Sequence, residues 1–186
     1  EVEISGSTVT VTSNTNSYGV YFSAGTIGAK AIAIDGNTFV TETAFSSGAT
    51  AVAVLGQLSI VPKFSFTGNS VTSTTASTNA AGLLFSDVVK QVDTIVFSNN
   101  TAVLTATDNA MALSFAEEVT SANIIAVQSN DITATASLTA DASAVKFAKK
   151  VAALNELTFS NNTCAVTAGE RRAVALYAVA PVTVKV

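Results

Sequence analysis

The chain has 186 residues, of which 48% are hydrophobic and only 12% charged, with no His, no Trp and one Cys. A net charge of −4 argues against a nucleic-acid partner or an anionic membrane surface, and no apolar run approaches the length of a membrane span, so no membrane insertion is expected. A single Cys excludes an internal disulfide framework, and the lack of imidazole removes the commonest general base and metal ligand.

In chain order, Glu1-Val2-Glu3-Ile4 opens directly on an alternating apolar run, with no initiator Met and no signal peptide. This reads as a processed chain or a segment of a longer one. The motif that follows, Ile4-Ser5-Gly6-Ser7, returns as Ile34-Asp35-Gly36-Asn37, Phe66-Thr67-Gly68-Asn69 and Phe97-Ser98-Asn99-Asn100. It returns again as Val127-Gln128-Ser129-Asn130 and Phe159-Ser160-Asn161-Asn162. The first members are 30, 32, 31, 30 and 32 residues apart, so the period is about 31 and six units fill the chain. A fixed period in this range marks a solenoid, whose units bury a shared core by stacking.

Within a unit the local signal is period two. Phe64-Ser65-Phe66-Thr67, Val9-Thr10-Val11-Thr12 and Val52-Ala53-Val54 typify three alternating runs per unit, each bounded by Gly, Asn or Ser. The predicted fold is all-β: a parallel β-helix of about six coils with three short strands per coil, forming one domain over residues 1–186. Coils about 4.8 Å apart would make a rod of roughly 29 Å. A rival fold is the leucine-rich horseshoe, which Leu154-x-x-Leu157-x-Phe159-x-x-Asn162 also fits, with helical spacing over Ala148 to Leu157. The period is too long for it and the rest of each unit is Thr- and Val-rich, so the β-helix is preferred.

The column Asn37, Asn69, Asn100, Asn130 and Asn162 is expected to stack as a ladder, because an amide carries both donors and an acceptor. The preceding position is Gly, Gly, Gly, Asn, Ser and Asn, which suggests a left-handed backbone. Asn99 and Asn161 begin Asn-x-Thr sequons and are expected to be exposed glycosylation acceptors. Cys164 shares the column of Val9, Phe39, Val71, Ala102 and Ile132, where it serves as a small core hydrophobe. Phe66 is expected to stack on Phe97, and Phe85, Phe115 and Phe147 on one another. Pro62 is placed at a strand start. Glu117 and Glu118 are expected to face Lys149 and Lys150 across neighbouring coils as an inter-coil salt bridge. Open edges at Val2 and Ile4, and at Val182, Val184 and Val186, are expected to pair with further strands.

The Phe-x-x-Asn copies at Phe66/Asn69, Phe97/Asn100 and Phe159/Asn162 resemble the repeats of β-helical surface proteins. Chlamydial polymorphic membrane proteins and trypanosome dispersed-gene-family proteins are of this kind. Their partner motif is Gly-Gly-Ala-Ile, represented here by Tyr18-Gly19-Val20-Tyr21, Ala81-Gly82-Leu83-Leu84 and Ala173-Val174-Ala175-Leu176, without the double Gly. The resemblance implies a surface β-helix with an adhesive or structural role and no catalysis.

The function expected is therefore a structural repeat protein of an extracellular filament or cell surface, not an enzyme and without cofactor or metal. Its partners would be its own copies or a longer parent β-helix, with surface glycans as a further class. Two alternatives stay open. Thr12, Thr74, Thr105, Thr135 and Thr167 share one column and Thr10, Thr72 and Thr133 another, as on ice-binding solenoids. A β-helical polysaccharide-degrading enzyme is the second, although the acids share no column that would pair two carboxylates.

Overall fold

The structure, a computed structural model, describes residues 1–23, 25–45, 47–137, 140–178 and 182–184, the last three by their backbone. Every strand pair is parallel, and the chain winds through three sheets in a fixed order. Face A holds Val2–Ser5, Ile32–Asp35, Gln57–Thr67, Val89–Ser98, Ala122–Gln128, Val151–Ser160 and Val182–Val184, with Thr26–Ile27 also paired to Gln57–Thr67. Face B holds Thr8–Ser13, Thr38–Thr43, Ser70–Thr75, Thr101–Ala106, Asp131–Ala136 and Thr163–Ala168. Face C holds Ser17–Phe22, Ala49–Val54, Ala80–Phe85, Ala110–Phe115, Ala142–Phe147 and Ala173–Ala178. The fold is a β-solenoid of about six turns. No helix occurs among the described residues, and Ala148 to Leu157, for all its helical spacing, enters a strand at Val151. The horseshoe is thereby excluded.

The register follows the repeat. Ile4, Ile34, Phe66, Phe97, Val127 and Phe159 are Cα partners from coil to coil, and so are Val9, Phe39, Val71, Ala102, Ile132 and Cys164. Both columns point inward, because period two sends alternate side chains to one face. Phe66 stacks on Phe97 with ring centroids 5.3 Å apart and planes 8° apart. Phe85, Phe115 and Phe147 stack at 5.0 and 4.8 Å. Phe39 extends the first stack, 6.2 Å from Phe66. Parallel stacking at the coil repeat is imposed by register here, rather than chosen by the rings, which in free pairs favour offset or edge contacts.

The core changes character along the rod. On face B the inward column Val11, Thr41, Ser73, Leu104, Ala134 and Val166 is polar in coils two and three only. There Thr41 and Ser73 share a 2.8 Å hydrogen bond, and Ser73 Oγ donates to the Ala81 carbonyl at 3.1 Å. Thr43 Oγ1 donates to Ser17 Oγ at 2.9 Å, and Ser17 in turn to the Glu42 carbonyl. These four buried hydroxyls are tolerated because each finds a partner.

Two strand features depart from the sequence expectation. The face-A strands of the middle coils are not short: Gln57–Thr67 runs 11 residues and Val89–Ser98 ten. Each is bent at a left-handed residue, Ile60 (φ 56°) and Gln91 (φ 55°), so face A carries an extra corner. Pro62 lies just beyond that bend, inside the strand and not at its start. A bend already interrupts the ladder, which is where a residue without an N–H fits.

Candidate functional site

The first corner, between faces A and B, is built by the ladder. Each Asn Nδ2 donates twice: back to the carbonyl before the corner in the previous coil, and forward to the Oδ1 of the next Asn. For Asn69 these bonds are 2.9 Å to Ile34 O and 3.2 Å to Asn100 Oδ1. Its backbone N–H also donates to Asn100 Oδ1 at 2.9 Å. The same set recurs at Asn37, Asn100 and Asn130, while Asn162 accepts from Asn130 and donates to Val127 O. Ser7 completes the column, its backbone N–H donating to Asn37 Oδ1 at 3.0 Å. The residues before the ladder, Gly6, Gly36, Gly68, Asn99, Ser129 and Asn161, all have φ between 55° and 64°. That conformation turns the chain and leaves both sequon residues, Asn99 and Asn161, exposed at the corner.

The charged runs behave differently. Val119 pairs with Val151, which sets Glu118 beside Lys150 and Glu117 beside Lys149. No ion pair forms between them. Among the described residues the one N–O contact within 4.0 Å of this kind joins Arg172 to Asp141, at 3.2 Å. The four side chains stand on a solvated bend, where pairing two long chains gains little over their hydration. Of the expected edge residues, Val2 and Ile4 are half-buried on a strand paired on one side only, and Val182–Val184 likewise pairs only with Val151–Ser160. Val186 lies outside the described residues.

The sequence reading placed the strands and the phenylalanine stack of face C, and missed the groove on its outer side. On this face the outward side chains are three apart: Ala81 and Leu84 look outward, while Leu83 and Phe85 belong to the core. Thr50 and Ala53, and Met111 and Ser114, repeat the slip in their coils. The intervening position is Gly19, Ala51, Gly82, Ala112, Ala144 or Ala175 by register. A Cβ on Gly82 would lie 2.6 Å from the Ala112 carbonyl oxygen, and one on Gly19 2.6 Å from that of Ala51. Only the smallest residues fit where the strand kinks, and this gives the partner motif its glycine. Six kinks in register fold face C inward along its length. The result is a groove of about 310 Å³ running over coils one to five, within the size range of ligand sites.

The groove has distinct parts. Its floor is Ala81 and Met111 with the hydroxyls of Thr50 and Ser114, each 3% exposed. One rim carries a second amide ladder, in which Asn109 N and Nδ2 both donate to Asn79 Oδ1, at 3.3 and 2.8 Å. Tyr18 lines the coil-one end, its ring centroid 5.1 Å from that of Tyr21. At the far end Lys146 Nζ donates to Asn109 Oδ1 at 3.2 Å, so its side chain spans the column of Met111 and Ser143. Burial pushes the Lys146 ammonium below its ordinary pKa; the Asp141 charge opposes this and that of Arg172 adds to it. Asp141 is doubly bonded by Arg172, from Nε to Oδ1 and from Nη2 to Oδ2, both 3.2 Å. Burial works to raise the Asp141 carboxyl, and the Arg172 bonds and charges around it more than offset that, so it stays below the usual carboxylate range. The Arg172 guanidinium lies 4.5 Å over the Tyr177 ring. All three tyrosines of the chain therefore stand on the outer side of face C.

Face B presents a different surface. Its outward columns are Thr8, Thr38, Ser70, Thr101, Asp131, Thr163; Thr10, Val40, Thr72, Val103, Thr133, Ala165; and Thr12, Glu42, Thr74, Thr105, Thr135, Thr167. They form a single regular array over all six coils. Among the described residues no helix is long and apolar enough to cross a membrane, and no group of three or more His, Cys, Asp or Glu could hold a metal ion. No family model matches the sequence, and no curated protein or solved structure does either.

Proposed function

We propose that the chain is a rod-forming segment of an extracellular or cell-surface solenoid, which continues by stacking on further coils of its own copies or of a longer parent, and makes adhesive contacts along its sides. The observation that carries this reading is the coil itself: the amide ladder and the inward columns repeat the same bonds and pairings from one coil to the next, so a further coil can add in the same register. A coil without a neighbour presents an apolar cross-section and one-sided strands, which another coil would cover. Sparse charge and the exposed sequons at Asn99 and Asn161 suit a secreted surface, as does the likeness of the Phe-x-x-Asn copies to β-helical surface proteins. Sedimentation of the concentrated chain should reveal end-to-end oligomers, and electron micrographs should reveal rods in multiples of the monomer length. Thr183→Pro removes a donor from a one-sided strand and should shorten them. A chain that stays monomeric at the highest attainable concentration sinks the stacking of copies.

A second reading has its own support. The outward columns of face B hold four, three and five threonines in their six positions, a regular array of hydroxyl and methyl groups. Such an array can order water on a lattice of coil and strand spacings, about 4.8 by 6.6 Å. Ice recrystallisation should then be inhibited, and Thr105→Lys, at the centre of the fullest column, should abolish the effect. An unmodified chain that leaves ice growth unchanged removes this reading. β-branched residues also suit any exposed strand, so the array alone does not demand an ice surface.

A further inference from the structure

The groove on face C carries chemistry that neither stacking nor the threonine array uses. Two of its hydroxyls, those of Thr50 and Ser114, open onto the floor and have no protein partner among the described residues. Beneath them Ser143 Oγ, in the column that continues Met111, is wholly buried and also unpartnered. An unpartnered buried hydroxyl is costly, and in a native fold it calls for an explanation. Lys146 is the second anomaly. Its ammonium is half-buried in the groove, and it is met only by neutral groups, the Asn109 amide oxygen and, at 6.0 Å, the face of the Tyr177 ring, since Asp141 is already held at both oxygens by Arg172. A desolvated cation satisfied by a neutral group leaves its charge to be met by an anion.

We propose that this groove binds an extended, unbranched acidic glycan, lying along the rod axis with a carboxylate against Lys146. The Thr50 and Ser114 hydroxyls and the free Nδ2 of Asn79 then meet sugar hydroxyls, and the Tyr18 ring offers a face for a sugar's C–H groups at the opposite end. From Tyr18 to Lys146 is four coil steps, roughly 19 Å at 4.8 Å each, so several sugar rings fit end to end. An extended acidic peptide matches the site less well. Every face-C strand between the end coils is paired on both sides, so the groove offers no row of backbone donors and acceptors to a peptide main chain. The inference deepens the adhesive part of the function proposed above and is independent of end-to-end stacking, which sedimentation reads without any ligand.

The test is calorimetric titration of the full chain with three probes of matched length: a uronate oligosaccharide, a neutral glucan oligosaccharide and an oligoglutamate peptide. The uronate should bind, the neutral glucan at least tenfold more weakly, and the peptide not measurably. Lys146→Met should lower uronate affinity at least tenfold while leaving the melting temperature close to that of the parent chain. Lys90→Met, on face A, should change neither. Where Lys146→Met itself unfolds, Thr50→Val and Ser114→Val together read the same groove without touching the charge, and should weaken uronate binding severalfold. No uronate binding at millimolar concentration overturns the proposal. So does equal binding of the peptide, or an affinity unmoved by changing Lys146 or the paired hydroxyls.

Discussion

Replacing Phe97 with Ala should cost about 3–5 kcal/mol in denaturant melts. The side chain is fully buried, stacked on Phe66 at 5.3 Å, with Val127 opposite it in the next coil. Neither neighbour can move into the vacated space without breaking its own backbone register, so the cavity stays open. Phe159 supplies an internal control. It occupies the same column with the same chemistry, but in the last coil it is half-buried. Phe159→Ala should cost roughly 1–1.5 kcal/mol, about half of what full burial of the ring contributes. Equal losses at the two positions would mean that the last coil is covered in solution, and this comparison therefore also probes stacking. A loss below about 1 kcal/mol at Phe97 would contradict the register itself.

The second large effect belongs to the ladder. Asn100→Ala removes four hydrogen bonds at once: two accepted from Asn69, and one donated each to Phe66 O and Asn130 Oδ1. The buried Asn69 N–H is left without a partner, and the Phe66 carbonyl loses one of its donors. At about 1–3 kcal/mol for the stranded N–H and about 1 kcal/mol for each further bond, the loss should reach roughly 3 kcal/mol or more. Asn100→Asp is the sharper variant. It keeps the shape and the two accepted bonds, but it turns the donor into an oxygen facing two other oxygens. It should destabilise at least as much as Ala, although it leaves no cavity. If Asp is tolerated and Ala is not, the corner needs volume more than it needs a ladder, and the hydrogen-bond account fails. Both variants are read in the same urea titrations as Phe97→Ala.

What could be foreseen from the residues, and what could not, divides along a physical line. The repeat places chemically similar residues one coil apart, so any contact between coils in the same column was legible. The Phe66–Phe97 stack, the amide ladder and the left-handed corner before it are of this kind, and each follows from identity at a fixed period. The groove of face C was not legible, although its strands and its Phe85–Phe115–Phe147 stack were, because it comes from a slip in alternation. Ala81-Gly82-Leu83-Leu84 reads as an apolar run in which every residue could face the core. Nothing local says that Ala81 and Leu84 turn outward together. The signal available was the column Gly19, Ala51, Gly82, Ala112, Ala144, Ala175, which never holds anything larger than a methyl group. A strictly small column inside a strand marks close backbone approach. The bend at Ile60 and Gln91 escaped for another reason: neither residue is a type that favours φ above zero, so tertiary packing overrides propensity there.

The Asn109–Lys146 bond was also out of reach, because it joins residues 37 apart across two columns. The Arg172–Asp141 pair lies one period apart in the column of Asn79 and Asn109, so its adjacency was legible, although its partial burial was not. The expected pairing of Glu117 and Glu118 with Lys149 and Lys150 had the correct register and lacked the burial that makes pairing worthwhile. Adjacency in a solenoid can be read from period alone, whereas interaction strength depends on solvent, which period does not encode.

The amide ladder also has a direction. Between amides every bond of this ladder is donated toward the later coil and accepted from the earlier one, and all strands run parallel, so the rod is a vector with unlike ends. Joining two copies about a two-fold axis would set like groups against like at the corner. Head-to-tail joining puts donors against acceptors and leaves the same pair of ends free for the next copy. Such contacts are heterologous and do not close, so growth has no built-in stop. Length control in any assembly of these rods must therefore come from something other than the symmetry of the repeat.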